Sequence, residues 1–485
     1  MGMNTQMKTS TVLPPGVPPL SPVDPKAPAA PGDMSLGPGF FLGTTTSATQ
    51  VEGGGIDNNI ARWAATHPGW GAPNPGLDHW NRIDQDYAHL QGNGHNALGL
   101  TVDWNRIEPS EGKFDEAAIA HYRGEIETCR RDGMEPMVTL LQYALPNWLA
   151  AKGGVLSPDA PALFGRFAHK VAESLGDEVT WWNTMNEPNT EAAAAYLAGI
   201  WPPGQSSPLA LAHALEGQLR MHAAGATALH EVAHEHNRDA KVGIAFINDR
   251  VYPANPWNPA DQAGTRLYDY VGNRWFLDSL AAGKAIFPVG DGETIPGLKG
   301  SLDYMGLNFY GREWGHLTLH PGHNNSPIVA KPNPDRPGPR PPIDSDGLYE
   351  MTLASWNQFH VPVMITESGV DLPEPDADNV RGRAIVDSLA ALHHAQQAGV
   401  PVLGYLHWTD WDSPEWADGY TEHFGLFGFD PTTGRRWDKP AAATFEAIAR
   451  RGAIPQQWLT PEDLTSPATR DQHAAHELAV LQGKA

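Results

Sequence analysis

Residues 179–188 read VTWWNTMNEP and residues 361–369 read VPVMITESG, and these two stretches decide the prediction of the fold. Each is a short apolar run that leads into a glutamate, Glu187 in the first and Glu367 in the second. Neither run alternates polar and apolar residues, which is typical of parallel strands that are buried on both faces. Both stretches are therefore predicted to be buried β-strands with a carboxylate at the carboxyl end.

Six further apolar runs of the same kind occur along the chain, at residues 40–43, 97–102, 136–141, 242–247, 304–307 and 402–406. The segments between the runs carry helical patterns: leucines recur four residues apart at 211, 215 and 219, and Asp115 suits the N-cap of a helix. Helices are predicted at residues 116–133, 158–175 and 378–398. Eight strand–helix alternations predict an α/β fold, a closed (β/α)₈ TIM barrel in a single domain. An open doubly wound sheet is the alternative.

The two ends of the chain differ from this middle part. Residues 11–33 read TVLPPGVPPLSPVDPKAPAAPGD, a proline-rich stretch without helical or strand periodicity. Residues 1–36 are therefore predicted to be a disordered tail outside the fold. The barrel is expected to occupy residues 37–452. Residues 453–485 are expected to form a C-terminal extension that is partly helical, with HAAHELAVLQ at residues 473–482 as its helix.

Composition narrows the range of partners and cofactors. A formal net charge of −23 argues against nucleic acids and acidic membranes, because both need a positive protein surface. The single cysteine, Cys129, excludes an intrachain disulfide and a multi-thiolate metal site. The sequence contains no HExxH motif and no glycine-rich nucleotide loop, so we expect no cofactor and no metal. No apolar run follows Lys8, so we expect no signal peptide and a cytoplasmic location. The oligomeric state stays open.

The two glutamates suggest a chemistry. The carboxyl ends of barrel strands lie at one end of the barrel, where active sites of this fold are built, so Glu187 and Glu367 are expected to face each other. One glutamate at a strand end is more often a salt-bridge or loop residue, whereas a converging pair fits glycoside cleavage. In that reaction one carboxyl group protonates the leaving oxygen, and the other stabilises or attacks the anomeric centre.

Several segments resemble those of glycoside hydrolase family 1, the β-glucosidase family, in their residues and in their order along the chain. Together they extend from Phe40 to about Arg450 and cover most of the chain. They are FFLGTTTSATQVEGG (40–54), DWNRIEPSEGKFD (103–115), GGVLSP (153–158), TMNEPN (184–189), WPPG (201–204), LDYMGLNFYG (302–311), ITESG (365–369) and YLHWTDWDSPEWADGYTEHFGLFGFD (405–430). The paired NEP and TESG segments and the last block are the most specific of these.

The resemblance implies a retaining β-glycosidase that hydrolyses β-glucosides or related small or oligomeric β-glycosides by double displacement. Glu187 would be the acid/base, with a raised pKa, and Glu367 the nucleophile, whose charged form donors such as Tyr310 should favour. It also implies a set of sugar-binding residues. They are Asn186 at the 2-hydroxyl, Gln50 at the 3- and 4-hydroxyls, Glu415 and Trp416 at the outer hydroxyls, Trp408 as the apolar floor, and Asn308 close by.

Two positions depart from the family pattern. Gly99 stands where the family has an arginine beside the nucleophile, and Gln142 stands where it has a sugar-binding histidine. The glycone site could be reshaped with Gln142 still supplying a donor, Arg312 could replace the lost charge, or activity could be low. Phosphorylated sugars are not expected, because the loop at 416–425 lacks a phosphate-binding pattern and Glu415 would repel a phosphate.

Two other functions remain open. A transglycosylase would use the same glycosyl-enzyme intermediate and pass the sugar to an alcohol or a second sugar instead of water. A non-catalytic sugar-binding barrel is suggested by Gly99 and Gln142.

Overall fold

The computed structural model describes residues 13, 17, 19–70, 76–317, 328–330, 344–376 and 379–469, with backbone only for residues 313–317 and 328–330. Eight parallel strands form a closed barrel in this part of the chain. They are β1 Phe41–Thr45, β2 Ala97–Thr101, β3 Glu135–Thr139, β4 Trp181–Asn186, β5 Lys241–Ile247, β6 Met305–Asn308, β7 Val363–Ser368 and β8 Val402–Trp408. Each overlaps one of the eight apolar runs, so the predicted barrel is confirmed.

The strands follow one another around the barrel in chain order, and β8 pairs with β1 to close the ring. This pairing excludes the open doubly wound sheet. One apolar cluster is formed by five buried side chains that lie in, or next to, five different barrel strands. It consists of Ala97, Met137, Tyr304, Met364 and Leu406.

In the described chain, a helix of eight or more residues follows each barrel strand. These are α1 Ile83–Gly92, α2 Glu116–Arg131, α3 Ala160–Leu175, α4 Pro208–Glu235, α5 Trp275–Ala282, α6 Ser345–Phe359, α7 Val380–Gln397 and α8 Pro440–Arg451. The Asp115 carboxylate accepts hydrogen bonds from the N–H groups of Ala117 and Ala118 at 2.8 and 3.1 Å, so it caps α2 as expected. Further helices lie in the loops, at Ala48–Val51, Asn59–Ala64, Trp104–Ile107, Asn147–Ala150, Pro188–Ala192 and Pro259–Tyr268.

Three small sheets accompany the barrel. The strands Arg250–Pro253, Arg312–Leu317 and Ile328–Ala330 form one, after β5 and β6. The second is the pair Phe427–Phe429 and Arg436–Asp438. In the third, Met34–Ser35 pairs with Ala453–Ile454. Among the described residues, no helix combines the length and the apolar composition that a membrane span requires.

Both ends of the described chain pack against the barrel. The predicted boundaries at residues 36 and 452 differ from the structure, because Met34–Ser35 and Ala453–Ile454 pair with each other across them. Further out, the Trp458 indole donates a hydrogen bond to the Ser21 carbonyl at 2.7 Å. This contact joins the two terminal segments, which a pattern of prolines could not reveal. The predicted helix at 473–482 lies outside the described residues.

Candidate active site

The predicted site residues lie at the carboxyl ends of the barrel strands. Glu187 directly follows β4, and Glu367 and Asn308 are paired neighbours in β7 and β6. Gln142 follows β3 by three residues, and Trp408 ends β8. The barrel therefore brings both glutamates and their predicted neighbours to the same end, as the spacing along the chain indicated.

Neutral donors hold the Glu187 carboxylate, which is 5% exposed. The Tyr143 hydroxyl donates to Oε2 at 2.5 Å, and the Asn308 side-chain amide donates to Oε1 at 2.9 Å. The same Asn308 amide nitrogen donates to Asn186 Oδ1 at 3.0 Å. Thr366 in turn donates to Asn308 Oδ1 at 2.6 Å and fixes its orientation. Glu187 is thereby held in one orientation from two sides.

Neutral donors also hold Glu367, which is equally buried. The Tyr310 hydroxyl donates to Oε2 at 2.7 Å, as the resemblance implied. The Gln142 amide donates to Oε1 over a long 3.5 Å, and Thr101 donates to Gln142 Oε1 at 2.9 Å. Gln142 therefore faces Glu367. Because the Thr101 hydroxyl binds the amide oxygen of Gln142, the amide nitrogen points toward Glu367.

No Lys, Arg or His forms an ion pair with Glu187 or Glu367 in the part of the chain that the structure describes. Arg312, the proposed replacement for the lost arginine, pairs instead with Asp344. The hypothesis that Arg312 restores the charge beside Glu367 is therefore wrong. The space beside Gly99 is closed by the Thr45 side chain. Within the described residues, the direct partners of the two carboxylates are uncharged hydrogen-bond donors.

Burial governs the ionisation of the pair. It raises the pKa of Glu187, against the hydrogen bonds from Tyr143 and Asn308. Burial, and then the charge of Glu187, raise the pKa of Glu367 well above its usual range, and the Tyr310 hydrogen bond opposes this only in part. Tyr310 thus favours the charged form of Glu367, as expected, but the effect of burial on the pKa is larger. The charge of Glu187 disfavours ionisation of Glu367, so the two carboxyl groups do not ionise independently of each other.

The other predicted sugar ligands form a connected group on the β8 side. Trp408 Nε1 donates to Glu415 Oε1 at 3.2 Å, and Gln50 Nε2 donates to the Pro414 carbonyl at 2.8 Å. Burial, followed by the charge of Glu422, raises the pKa of Glu415 well above its usual range. The loop that follows β8 thus links Trp408 and Glu415 to Gln50, which is more than 350 residues away in sequence.

Tyr143 and Trp201 were not predicted. Their rings lie 4.8 Å apart, and Trp416 packs against both, at 4.9 Å from Tyr143 and 5.6 Å from Trp201. These three rings form an aromatic wall beside Glu187. The sequence signal for Tyr143 was its place directly after Gln142, and for Trp201 its place in the WPPG segment.

Backbone strain is concentrated at this site. Among the described non-glycine residues that are not Asn, Asp or His, a left-handed φ occurs at Tyr143 (61°), Glu187 (44°) and Trp416 (45°). Bulky side chains avoid this region, and such outliers gather at functional sites where the surrounding structure enforces them. The fold therefore stabilises an unfavourable backbone in order to place these three side chains.

A separate group of side chains has the chemistry of metal ligands. His169, Glu173 and Glu235 are exposed on α3 and α4, and one donor atom of each lies within 4.8 Å of the others. It is the one group of this type among the described residues, and none of its members belongs to the site at the strand ends.

Comparison with known proteins agrees with this geometry. The profile of glycosyl hydrolase family 1 matches residues 34–453. A β-galactosidase of Sulfolobus acidocaldarius is 29% identical over 79% of this chain and 86% of its own. A 1,4-β-D-glucan glucohydrolase of Thermotoga neapolitana is 25% identical over 86% of this chain and 98% of its own. The solved structure of a β-glycosidase from Pyrococcus horikoshii superposes with a TM-score of 0.78, at 26% identity, over 89% of this chain and 100% of that one.

A closed (β/α)₈ barrel with this likeness to β-glycosidases defines a glycoside hydrolase. The chain belongs to glycosyl hydrolase family 1. The fold, the family and the glycosidase activity predicted from the sequence are thereby confirmed.

Proposed function

We propose that the protein hydrolyses β-glucosides or related β-glycosides with retention, using Glu367 as nucleophile and Glu187 as acid/base. The observation that carries this proposal is the meeting of the two glutamates. They are buried in one site and coupled electrostatically, with Asn308 held beside both. Two carboxyl groups that share one proton can supply an acid and a nucleophile at the same time.

In the first step, the Glu367 carboxylate attacks the anomeric carbon. The bond to the leaving oxygen breaks while Glu187 transfers its proton to that oxygen, so the aglycone leaves as a neutral alcohol. The product is a glycosyl ester on Glu367 and an ionised Glu187. Tyr310 and Gln142 hold the attacking carboxylate in place through their hydrogen bonds.

In the second step, the ionised Glu187 accepts a proton from a water molecule that attacks the same carbon. The ester bond breaks, and Glu367 leaves as a carboxylate with the original configuration restored in the sugar. The Tyr143 and Asn308 hydrogen bonds favour the ionised form of Glu187 that this step requires.

The sugar itself would be held by the polar groups around the two glutamates. The proposed ligands are Gln50, Gln142, Asn186, Asn308, Tyr310, Trp408, Glu415 and Trp416. An indole suits the apolar C–H face of a pyranose, and amides and carboxylates suit its hydroxyl groups. The contacts of Trp408 with Glu415, and of Gln50 with the neighbouring Pro414, support one continuous binding surface.

A panel of 4-nitrophenyl β-glycosides tests the proposal, with Glu367→Ala and Glu187→Ala as inactive variants. Glu191→Gln is the matched control, because Glu191 is also buried and lies one turn from Glu187, but bonds Gln218 instead of the site. We expect turnover in the wild type and in the control, and loss in the two alanine variants. Turnover that survives Glu367→Ala, or its absence with every sugar, would refute the proposal.

Transfer to an added alcohol or sugar would reveal the transglycosylase alternative, which uses the same intermediate. Free monosaccharide as the sole product in the presence of acceptors would count against it. The cytoplasmic location stays a prediction that cell fractionation can test.

A further inference from the structure

The hydroxyl of Tyr143 lies 2.5 Å from Glu187 Oε2 and has one other polar neighbour, the Asn186 amide nitrogen, at 3.5 Å. The Tyr143 side chain lies among the rings of Trp201 and Trp416, and the residue is 4% exposed. Its backbone φ of 61° is unfavourable for a residue with a bulky side chain. Core packing alone would need the ring but not the hydroxyl or the strained backbone.

We propose that Tyr143 is a positioning residue whose hydroxyl holds Glu187 and stabilises the ionised form that activates water in the second step. The inference rests on the proposed role of Glu187 as acid/base. It adds a residue that the family resemblance did not supply, and it assigns this residue to one half of the reaction.

The donors Asn308 and Tyr143 differ in what they can do for Glu187. Asn308 is locked by Thr366, so its amide points at Oε1 whichever form Glu187 takes. A phenolic O–H can rotate, so Tyr143 can donate to the carboxylate and can turn its lone pairs toward the protonated acid. Tyr143 is therefore the partner that can follow the change in ionisation of Glu187 between the two steps.

The surroundings of Glu187 support this assignment. Further side chains face Glu187: Glu367 from β7, Tyr310 from the segment after β6, and Thr190 from the helix that Glu187 precedes. In the described chain, no Lys, Arg or His forms an ion pair with Glu187. Once Glu367 is esterified it no longer repels Glu187. The ionised Glu187 then depends on its hydrogen bonds, and the one from Tyr143 is shorter than the one from Asn308, at 2.5 against 2.9 Å.

Tyr143→Phe keeps the ring and removes one oxygen atom, so it isolates the hydroxyl. A 2,4-dinitrophenyl glycoside needs no proton to leave, which makes the second step limiting for kcat. With this substrate we expect kcat to fall by about fivefold or more. KM should fall in parallel as the intermediate accumulates, and kcat/KM should stay within about twofold. Rapid mixing should show a burst of dinitrophenol larger than that of the wild type.

The pH profile gives a second readout. With a phenyl glycoside, whose departure needs a proton, the alkaline limb of kcat/KM should move to higher pH in Tyr143→Phe. The reason is that the loss of a donor to its carboxylate raises the pKa of Glu187 further, so the acid stays protonated longer. Tyr304→Phe is the matched control, because it removes another buried tyrosine hydroxyl at the opposite end of the barrel.

Three outcomes are distinguishable once melting curves show that the variants are folded. A lower kcat with preserved kcat/KM and a shifted alkaline limb supports the inference. An unchanged profile, or an equal fall of kcat and kcat/KM without any shift of the limb, overturns it and leaves a merely structural tyrosine. An inactive wild type overturns the proposed function itself.

Discussion

Gly99 and Thr45 face each other across β2 and β1, so closely that a Cβ atom added at Gly99 would lie 2.2 Å from the Thr45 hydroxyl oxygen and 2.6 Å from its Cβ. No side chain fits there without a shift of the neighbouring strand. The absence of an arginine beside the nucleophile is therefore built into the packing of two strands. The consequence is a carboxylate pair that relies on neutral donors.

Gly99→Ala should destabilise the protein by about 1–3 kcal/mol, the usual cost of an overpacked core. Chemical denaturation measures the effect. Thr45→Gly removes both clashing atoms, so the double variant should lose less stability than the two single changes added together. Strict additivity would show that the two positions do not compete for space.

Gln142→Glu should move the acid limb of the kcat/KM profile to higher pH. The new carboxylate would face Glu367 and raise its pKa further, so that Glu367 ionises only in less acidic solution. Gln142→Leu is the control of similar size that adds no charge, and its limb should move less. An acid limb that is the same in both variants would mean that the side chain at 142 does not face the ionising group.

Glu367→Gln should raise the melting temperature at neutral pH. The pKa of Glu367 is higher in the folded protein than in the unfolded chain. Glu367 therefore contributes its full stabilisation at a pH below its unfolded-state pKa, and this stabilisation is lost as the pH rises through its folded-state pKa. Glutamine carries no such penalty, so the gain in Tm should be near zero at pH 4 and grow toward pH 8. The same change at exposed Glu462 should leave Tm unaltered. A gain that does not depend on pH would refute this explanation.

Arg383→Met should cost about 3–5 kcal/mol, the usual penalty for breaking a buried ion pair. Arg383 is 1% exposed in α7 and donates to Asp387 at 2.6 Å and to Asp463 at 2.7 Å. Adding Asp463→Asn should recover part of the loss, because one of the two unpaired charges disappears. A cost below 1 kcal/mol would indicate that the segment after residue 452 adds little to stability.

The sequence predicted the barrel, with an open doubly wound sheet as the alternative, and the convergence of Glu187 and Glu367. Buried parallel strands are continuous apolar runs, and a barrel places the residue after each strand at one end, so both inferences follow from spacing alone. The sugar-binding group required the family resemblance, because Gln50, Trp408 and Glu415 are brought together only by the loop that follows β8.

Other features could not be read from the sequence because they depend on three-dimensional packing. The Tyr143 hydrogen bond requires a left-handed backbone that no sequence rule predicts for tyrosine. The sequence also does not show which carboxylate pairs with Arg312, because the fold brings Asp344 next to it. The strand at Met34–Ser35 pairs with Ala453–Ile454, more than 400 residues later in the chain. A local sequence pattern cannot predict such a pairing. The prolines of residues 11–33 predicted a disordered tail and gave no sign of the contact between Ser21 and Trp458.

Covalent trapping tests the central claim most directly. The wild type, incubated with a 2,4-dinitrophenyl 2-deoxy-2-fluoro-β-glycoside of its preferred sugar, should release one dinitrophenol per active site and gain the mass of one fluorosugar. Peptide mapping should place that sugar on Glu367, and Glu367→Gln should remain unlabelled. An adduct on any other residue, or an active wild type that never forms one, would contradict the assignment of Glu367 as the nucleophile.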